Sequence, residues 1–106
     1  MFIAYENAIE CIRLLKPIID LVAVHDRDLA DQLKRAASSI VLNVGEGRRG
    51  RDANARRHFR LASQSARESL ACLDVAAAWQ YTGEPQLAAS RTALDRECAL
   101  LYPLTR

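Results

Sequence analysis

Apolar residues recur at three- and four-residue steps along nearly the whole chain, the spacing that lines one face of a helix. In residues 3–23, Tyr5, Ala8, Ile9, Ile12, Leu15, Ile19 and Val22 keep that step, and Glu6, Glu10, Arg13 and Asp20 fall mostly elsewhere on the wheel. This predicts an amphipathic first helix. Pro17 lies inside the pattern and removes one backbone hydrogen bond, which predicts a bend near Arg13 to Pro17 rather than two helices. Phe2, Ile3, Ile18 and Leu21 lie outside the narrow seam and are candidates for a subunit interface.

After a polar exit from His25 to Asp28, the step resumes at Leu29, Leu33, Ala36, Ala37, Ile40 and Val44, with Asp26 or Asp28 placed to cap the new helix. This second helix is expected to end near Val44 or Glu46. The run Gly45-Glu46-Gly47-Arg48-Arg49-Gly50-Arg51 then offers glycines for left-handed turning, and Asp52 is placed to cap a third helix. That helix carries Phe59, Ala62, Ala66, Leu70, Leu73, Ala76, Ala77 and Trp79 or Tyr81 on one face, over roughly eight turns. Thr82-Gly83-Glu84-Pro85 stops it, with Gly83 read as its cap and Pro85 as the first turn of the next element. Leu87, Leu94, Cys98 and Leu101 mark a fourth helix ending before Pro103. No helix of this kind can bury its stripe alone, so four of them on short connections predict an all-α fold, an antiparallel up-down-up-down four-helix bundle.

Composition supports this picture and narrows it. A chain of 106 residues, half of them apolar, with 4 Gly, 3 Pro and 6% aromatics, is expected to form one domain spanning residues 1–106 and excludes disordered or collagen-like classes. No apolar run approaches the ~20 residues of a membrane span, and Glu6 and Glu10 stand where a signal peptide carries positive charge, so the expected location is cytoplasmic. Cys11, Cys72 and Cys98 are widely spaced within helical pattern, which points to small buried apolar residues rather than disulfides or metal ligands.

The net charge is only +2, but its distribution is uneven. Residues 1–31 carry net −3, residues 32–67 net +7, and the remainder net −2. Thirteen of the 15 cations are arginine, whose planar fork suits phosphate and carboxylate partners. Arg48, Arg49, Arg51, Arg56, Arg57 and Arg60 form the dense part of this block, interrupted only by Asp52. Two readings follow: a patch for RNA or DNA backbone, or a set of ion-pair partners for acidic residues within or between subunits. Phe59 is the only aromatic among them, which argues against stacking of single-stranded bases along the patch.

Catalytic chemistry finds little support. Gly45-x-Gly47-x-x-Gly50 formally matches a dinucleotide-binding fingerprint, yet that device works between a strand and a helix in a βαβ unit, and the flanks here are helical. No Gly-Lys-Ser/Thr follows the glycines, so a P-loop has weaker support still. His25 and His58 have no metal-ligand spacing, Ser63, Ser65 and Ser69 have no nucleophile elbow, and Glu46 and Glu68 have no evident cleft. The expectation is a non-enzyme with no cofactor and no metal.

The stretch Ser39-Ile40-Val41-Leu42-Asn43-Val44-Gly45-Glu46-Gly47-Arg48 resembles the Ser-Ile-x-x-Asn-Ile-Ala-Glu-Gly signature of the four-helix bundle protein family, also known as the 23S ribosomal RNA intervening-sequence protein family. A second block of that family is echoed by Arg60-Leu61-Ala62-Ser63-Gln64-Ser65-Ala66-Arg67-Glu68, with Leu73, Ala77 and Tyr81 trailing it. Gly45 stands where Ala is usual, and Gln64 where Gly precedes the serine. The resemblance implies a bacterial bundle assembling as a homopentamer. It also points to a related bundle, the accessory protein of diversity-generating retroelements, which binds nucleic acid through a more basic pentamer. Physically, Asn43 can bond backbone groups at the end of the second helix, Glu46 can pair with Arg48, Arg60 or a neighbouring subunit, and Gly47 allows the reversal. With Ser65 and Glu68, these residues are expected to serve the architecture.

The resulting expectation is a homo-oligomeric helical bundle that binds RNA or DNA backbone through the arginines. The alternatives are an interaction scaffold without a nucleic-acid role and a retroelement accessory protein.

Overall fold

A computed structural model describes all residues, 1–106, and contains four α-helices and no strands. Helix α1 spans Ile3–His25, α2 Arg27–Gly47, α3 Ala53–Ala78 and α4 Glu84–Leu101, followed by a short 3-10 segment, Tyr102–Thr105. The short connections force each helix to run antiparallel to the one before it, and α1 also packs on α4 to close the bundle. The result is 42 Å long and 22 by 19 Å across. The α2–α3 turn therefore shares one end of the bundle with the start of α1 and the end of α4, while the other two turns share the opposite end.

The core is one layer of small and branched residues per helix face. Leu15, Leu33, Ile40, Leu73, Leu87, Leu94 and Leu101 are wholly buried, each contributing about 1.5–3 kcal/mol over exposure. On α1 the buried positions are Ala4, Asn7, Ala8, Cys11, Leu15, Ile18 and Val22, so Ile18 belongs to the core rather than to an outer face. The helix runs unbroken through Pro17, because the ring stands on the exposed side and its neighbours supply the packing. Helix α3 is 26 residues long, nearer seven turns than eight. Trp79 stays exposed just past its end, and Tyr81 is the aromatic that turns inward.

One residue, Asp26, makes the α1–α2 turn. Its N–H donates to the Val22 carbonyl and its Oδ1 accepts from Leu29 N at 3.0 Å, so it ends one helix and caps the next. Its Oδ2 also accepts from the Tyr81 hydroxyl at 3.2 Å, and the Tyr81 ring stacks on His25 at 5.2 Å, tying this turn to the α3–α4 turn. His25 is thus the exposed last residue of α1 rather than a turn residue.

The glycines behave differently from expectation. None has positive φ; Gln80 alone does, at 63°, and it ends α3 in the place expected of Gly83, which instead precedes α4 with Pro85 in the first turn. Gly45 and Gly47 lie inside α2, and the residue that ends that helix, Arg48, is itself helical (φ −65°). Gly47 serves a close approach. A Cβ there would stand 2.7 Å from Phe59 Cε1 on α3 and 2.9 Å from Phe59 Cζ, and Phe59 is buried and stacked on Phe2 at 6.0 Å. At Gly45 a Cβ would meet only Tyr5 Cε1, at 3.5 Å.

A polar cluster interrupts the core between α1 and α4. Glu97 is completely buried, with Oε1 accepting from Asn7 Nδ2 at 2.9 Å and Oε2 without a partner. Asn7 also donates to the Ala93 carbonyl at 3.0 Å, and Arg96 Nη1 reaches Asn7 Oδ1 at 3.4 Å. Burial pushes the Glu97 carboxyl up to about 7, which the Asn7 hydrogen bond and the Arg96 charge only partly offset. Burial first, and then the charge of Glu97, push the neighbouring Cys11 thiol up to about 12. Cys11 and Cys72 are buried and Cys98 half-buried, all as free thiols.

Two predictions follow from this packing. Gly45→Ala should stabilise the fold by up to about 1 kcal/mol through helix propensity, whereas Gly47→Ala should destabilise it by roughly 1–3 kcal/mol through the Phe59 clash. Urea titration of both variants checks the pair, and equal effects would sink the close-approach account. For Glu97, the folded carboxyl holds its proton more tightly than the unfolded one. Its contribution is therefore full below the ordinary value of 4.5 and is lost as pH rises through about 7. Glu97→Gln should remove that decline, so its stability difference from the parent should shift in its favour between pH 5 and pH 8.

Candidate nucleic-acid interface

The arginine block lies at the end of the bundle where α2 hands over to α3. Arg48 closes α2; Arg49, Gly50 and Arg51 make the turn; Asp52 starts α3 by accepting from Ala55 N at 3.0 Å. That cap uses the only acid in the turn on a backbone group and leaves the arginines without a local counter-ion. The chain contains ion pairs at Arg13–Glu10, Lys16–Asp20 and Arg91 with Asp74 and Glu84, and none of the six arginines joins a carboxylate. None of the six therefore sits in a direct ion pair.

The six do not form one flat patch. Arg48, Arg51 and Arg56 line a cleft of about 490 Å³ together with Arg106, which the sequence pattern gave no reason to include. Arg48 is held there by its guanidinium carbon, 3.8 Å above the Tyr5 ring. Arg60 lies in the next groove with Arg67 and donates from Nε to the Thr105 carbonyl at 3.1 Å. Arg49 and Arg57 are exposed and line neither the cleft nor the groove. The 3-10 segment thus divides the arginines, because it docks on α3 and α4 between them.

Beside this surface, a polar seam joins α2 to α3. Asn43 Nδ2 donates to the Ser39 carbonyl at 3.0 Å and to Ser39 Oγ at 3.1 Å, so its Oδ1 faces His58 Nδ1 at 2.9 Å as an acceptor. His58 must then carry its proton on Nδ1. Ser65 Oγ donates to Ser39 Oγ at 2.9 Å, so Asn43 and Ser65 meet through Ser39, whose backbone carbonyl is the α2 group that Asn43 bonds. Glu68 is exposed, with Gln32 Nε2 at 3.5 Å. Glu46 is exposed and pairs with neither Arg48 nor Arg60. Sequence spacing missed His58 as the partner of Asn43 because the two are adjacent only across helices.

The signature residues of this seam and turn fall within a wider match. The profile of the 23S rRNA-intervening sequence protein family covers residues 2–102. The chain belongs to that family. A crystal structure of a family-related protein from Bacteroides thetaiotaomicron, described as of unknown function and from the S23 ribosomal protein family, is similar to this bundle with a TM-score of 0.85. It shares 16% sequence identity over 97% of this chain and 98% of its own, a level that speaks to the fold. Among curated proteins none is detectably similar.

In this family member, no group of three or more His, Cys, Asp or Glu side chains is arranged to hold a metal ion. No helix is long and apolar enough to cross a membrane. The site's chemistry is that of cations, hydrogen-bond donors and a few aromatic rings.

The seam makes a spectroscopic prediction. Nitrogen NMR of the imidazole should show His58 as the Nδ1–H tautomer, and Asn43→Ala should return it toward Nε2–H at a stability cost of about 1 kcal/mol. An unchanged tautomer in the variant would exclude the Asn43 contact as its cause.

Proposed function

We propose that this member of the 23S rRNA-intervening sequence protein family is a non-enzymatic, homo-oligomeric bundle that binds RNA or DNA backbone through its arginine-bearing end. The observation that carries the reading is charge without partners. Arg48, Arg49, Arg51, Arg56, Arg57 and Arg60 sit around one turn, and no carboxylate of the chain pairs with them. Arg13 shows the alternative arrangement, paired with Glu10 three residues away on its own helix. A phosphate backbone supplies the repeated negative charge that this end lacks.

The assembly is proposed as a pentamer, on the family resemblance and on apolar side chains left outside the core. Ile3, Leu21, Val24, Leu42 and Trp79 are all exposed in the single chain, more than isolated surface residues require. A subunit interface would cover such residues and would repeat the arginine end once per subunit.

Salt dependence tests the nucleic-acid reading. Affinity for structured RNA or duplex DNA should fall steeply between low and near-physiological salt, with a log–log slope set by the number of phosphates neutralised. Reversing Arg48 and Arg49 to Glu should flatten that slope. Absence of binding at low salt would leave the arginines as contacts between proteins, and Arg57→Glu would then disrupt the oligomer instead.

A further inference from the structure

The cleft between the α2–α3 turn and the 3-10 segment differs from the rest of the arginine surface. Four arginines, Arg48, Arg51, Arg56 and Arg106, line it, and no Asp or Glu does. Arg56 is the only one of the six arginines around the turn that is half-buried. One wall is aromatic: Phe2 stacks on Phe59 with ring centroids 6.0 Å apart, and both contribute to the lining. A neighbouring groove without Asp or Glu, around Arg60 and Arg67, has two arginines and no such pair of rings.

We infer that this cleft takes a nucleoside phosphomonoester, with the phosphate on the arginines and the base against the aromatic wall; the inference deepens the backbone-binding reading and rests on it for the nucleic-acid source. Charge decides between phosphate types. An internal phosphodiester carries one negative charge, whereas a phosphomonoester carries about 1.5–2 and three strong acceptor oxygens, a better match to a lining that includes four arginines. Size points the same way. A volume of about 490 Å³ lies in the range of single small-molecule sites, roughly 300–1,000 Å³, and holds one nucleotide rather than a run of them. The aromatic wall accounts for the nucleoside, since every base offers a flat apolar face. The source is the phosphorylated end of a strand or a free nucleotide; the chemistry presented to the cleft is the same.

Fluorescence anisotropy separates these cases. Short single-stranded RNAs that differ only in carrying a terminal phosphate or a hydroxyl, at the 5′ end in one set and the 3′ end in another, are titrated with the intact protein at near-physiological salt. At least one phosphorylated end should bind about tenfold or more tightly than its hydroxyl partner, a difference of about 1.4 kcal/mol. Arg51→Ala and Arg56→Ala should each erase that preference. Arg49→Ala and Arg57→Ala, outside the cleft, should weaken all the strands alike and keep it. Adenosine monophosphate should compete with the phosphorylated strand better than adenosine or inorganic phosphate does.

Equal binding of phosphorylated and hydroxyl ends would overturn the cleft while leaving backbone binding intact. Binding of the monophosphate with no strand bound would support the cleft with a free nucleotide as its source and overturn the backbone reading. If neither strand nor monophosphate binds, both are wrong.

Discussion

The contact between Gly47 and Phe59 is the constraint on which the rest of this end of the bundle depends. A helix that must bring its backbone against a buried aromatic ring has room for no side chain at that position, and the Cβ distance of 2.7 Å leaves none. Once α2 is seated there, its last turn and the first third of α3 are fixed relative to each other. The five residues 48–52 then have little freedom, and the arginines they carry are presented on a braced turn rather than on a loose loop. Phe2 stacks on the same ring, so the start of α1 is drawn to the same point.

A second constraint runs along the core. Asn7 lies between Ala4 and Cys11, Ser90 between Leu87 and Leu94, and Glu97 between Leu94 and Leu101, all at core-facing spacing and all buried. The seam between α1 and α4 is therefore partly polar, and its register is set by directional bonds rather than by shape alone. A buried carboxyl that lacks one partner is costly in an apolar interior. Its protonation removes most of that cost, which is why its proton affinity is raised.

Much of this architecture was legible in the residues. The number, order and approximate limits of the helices followed from periodicity, and the Asp26 and Asp52 caps from residue type, because those signals are local. The errors came where the deciding neighbour was distant in sequence. Gly47 reads as a turn residue until Phe59 is placed beside it, and Asn43, which does bond a backbone carbonyl of α2, shows its second partner only when His58 faces it across the helix pair. Gln80 took the left-handed position because the turn around it is held by Tyr81, which bonds Asp26 across the bundle, a tertiary fact. Glu97 was detectable: its position three after Leu94 and four before Leu101 marks it as inward-facing. Arg106 was not, since no pattern ties a residue after the last helix to the α2–α3 turn.

The separation of charge along the bundle has an effect on encounter as well as on contact. The arginine-bearing end faces away from the turns that hold Asp26, Asp28 and Glu84, across a body 42 Å long. Such a molecule has a permanent electric axis, and a polyanion exerts a torque on it before the surfaces touch. The long, narrow shape of a four-helix bundle, which follows from packing alone, thus acts as a lever arm that sets how strongly an external field turns the molecule.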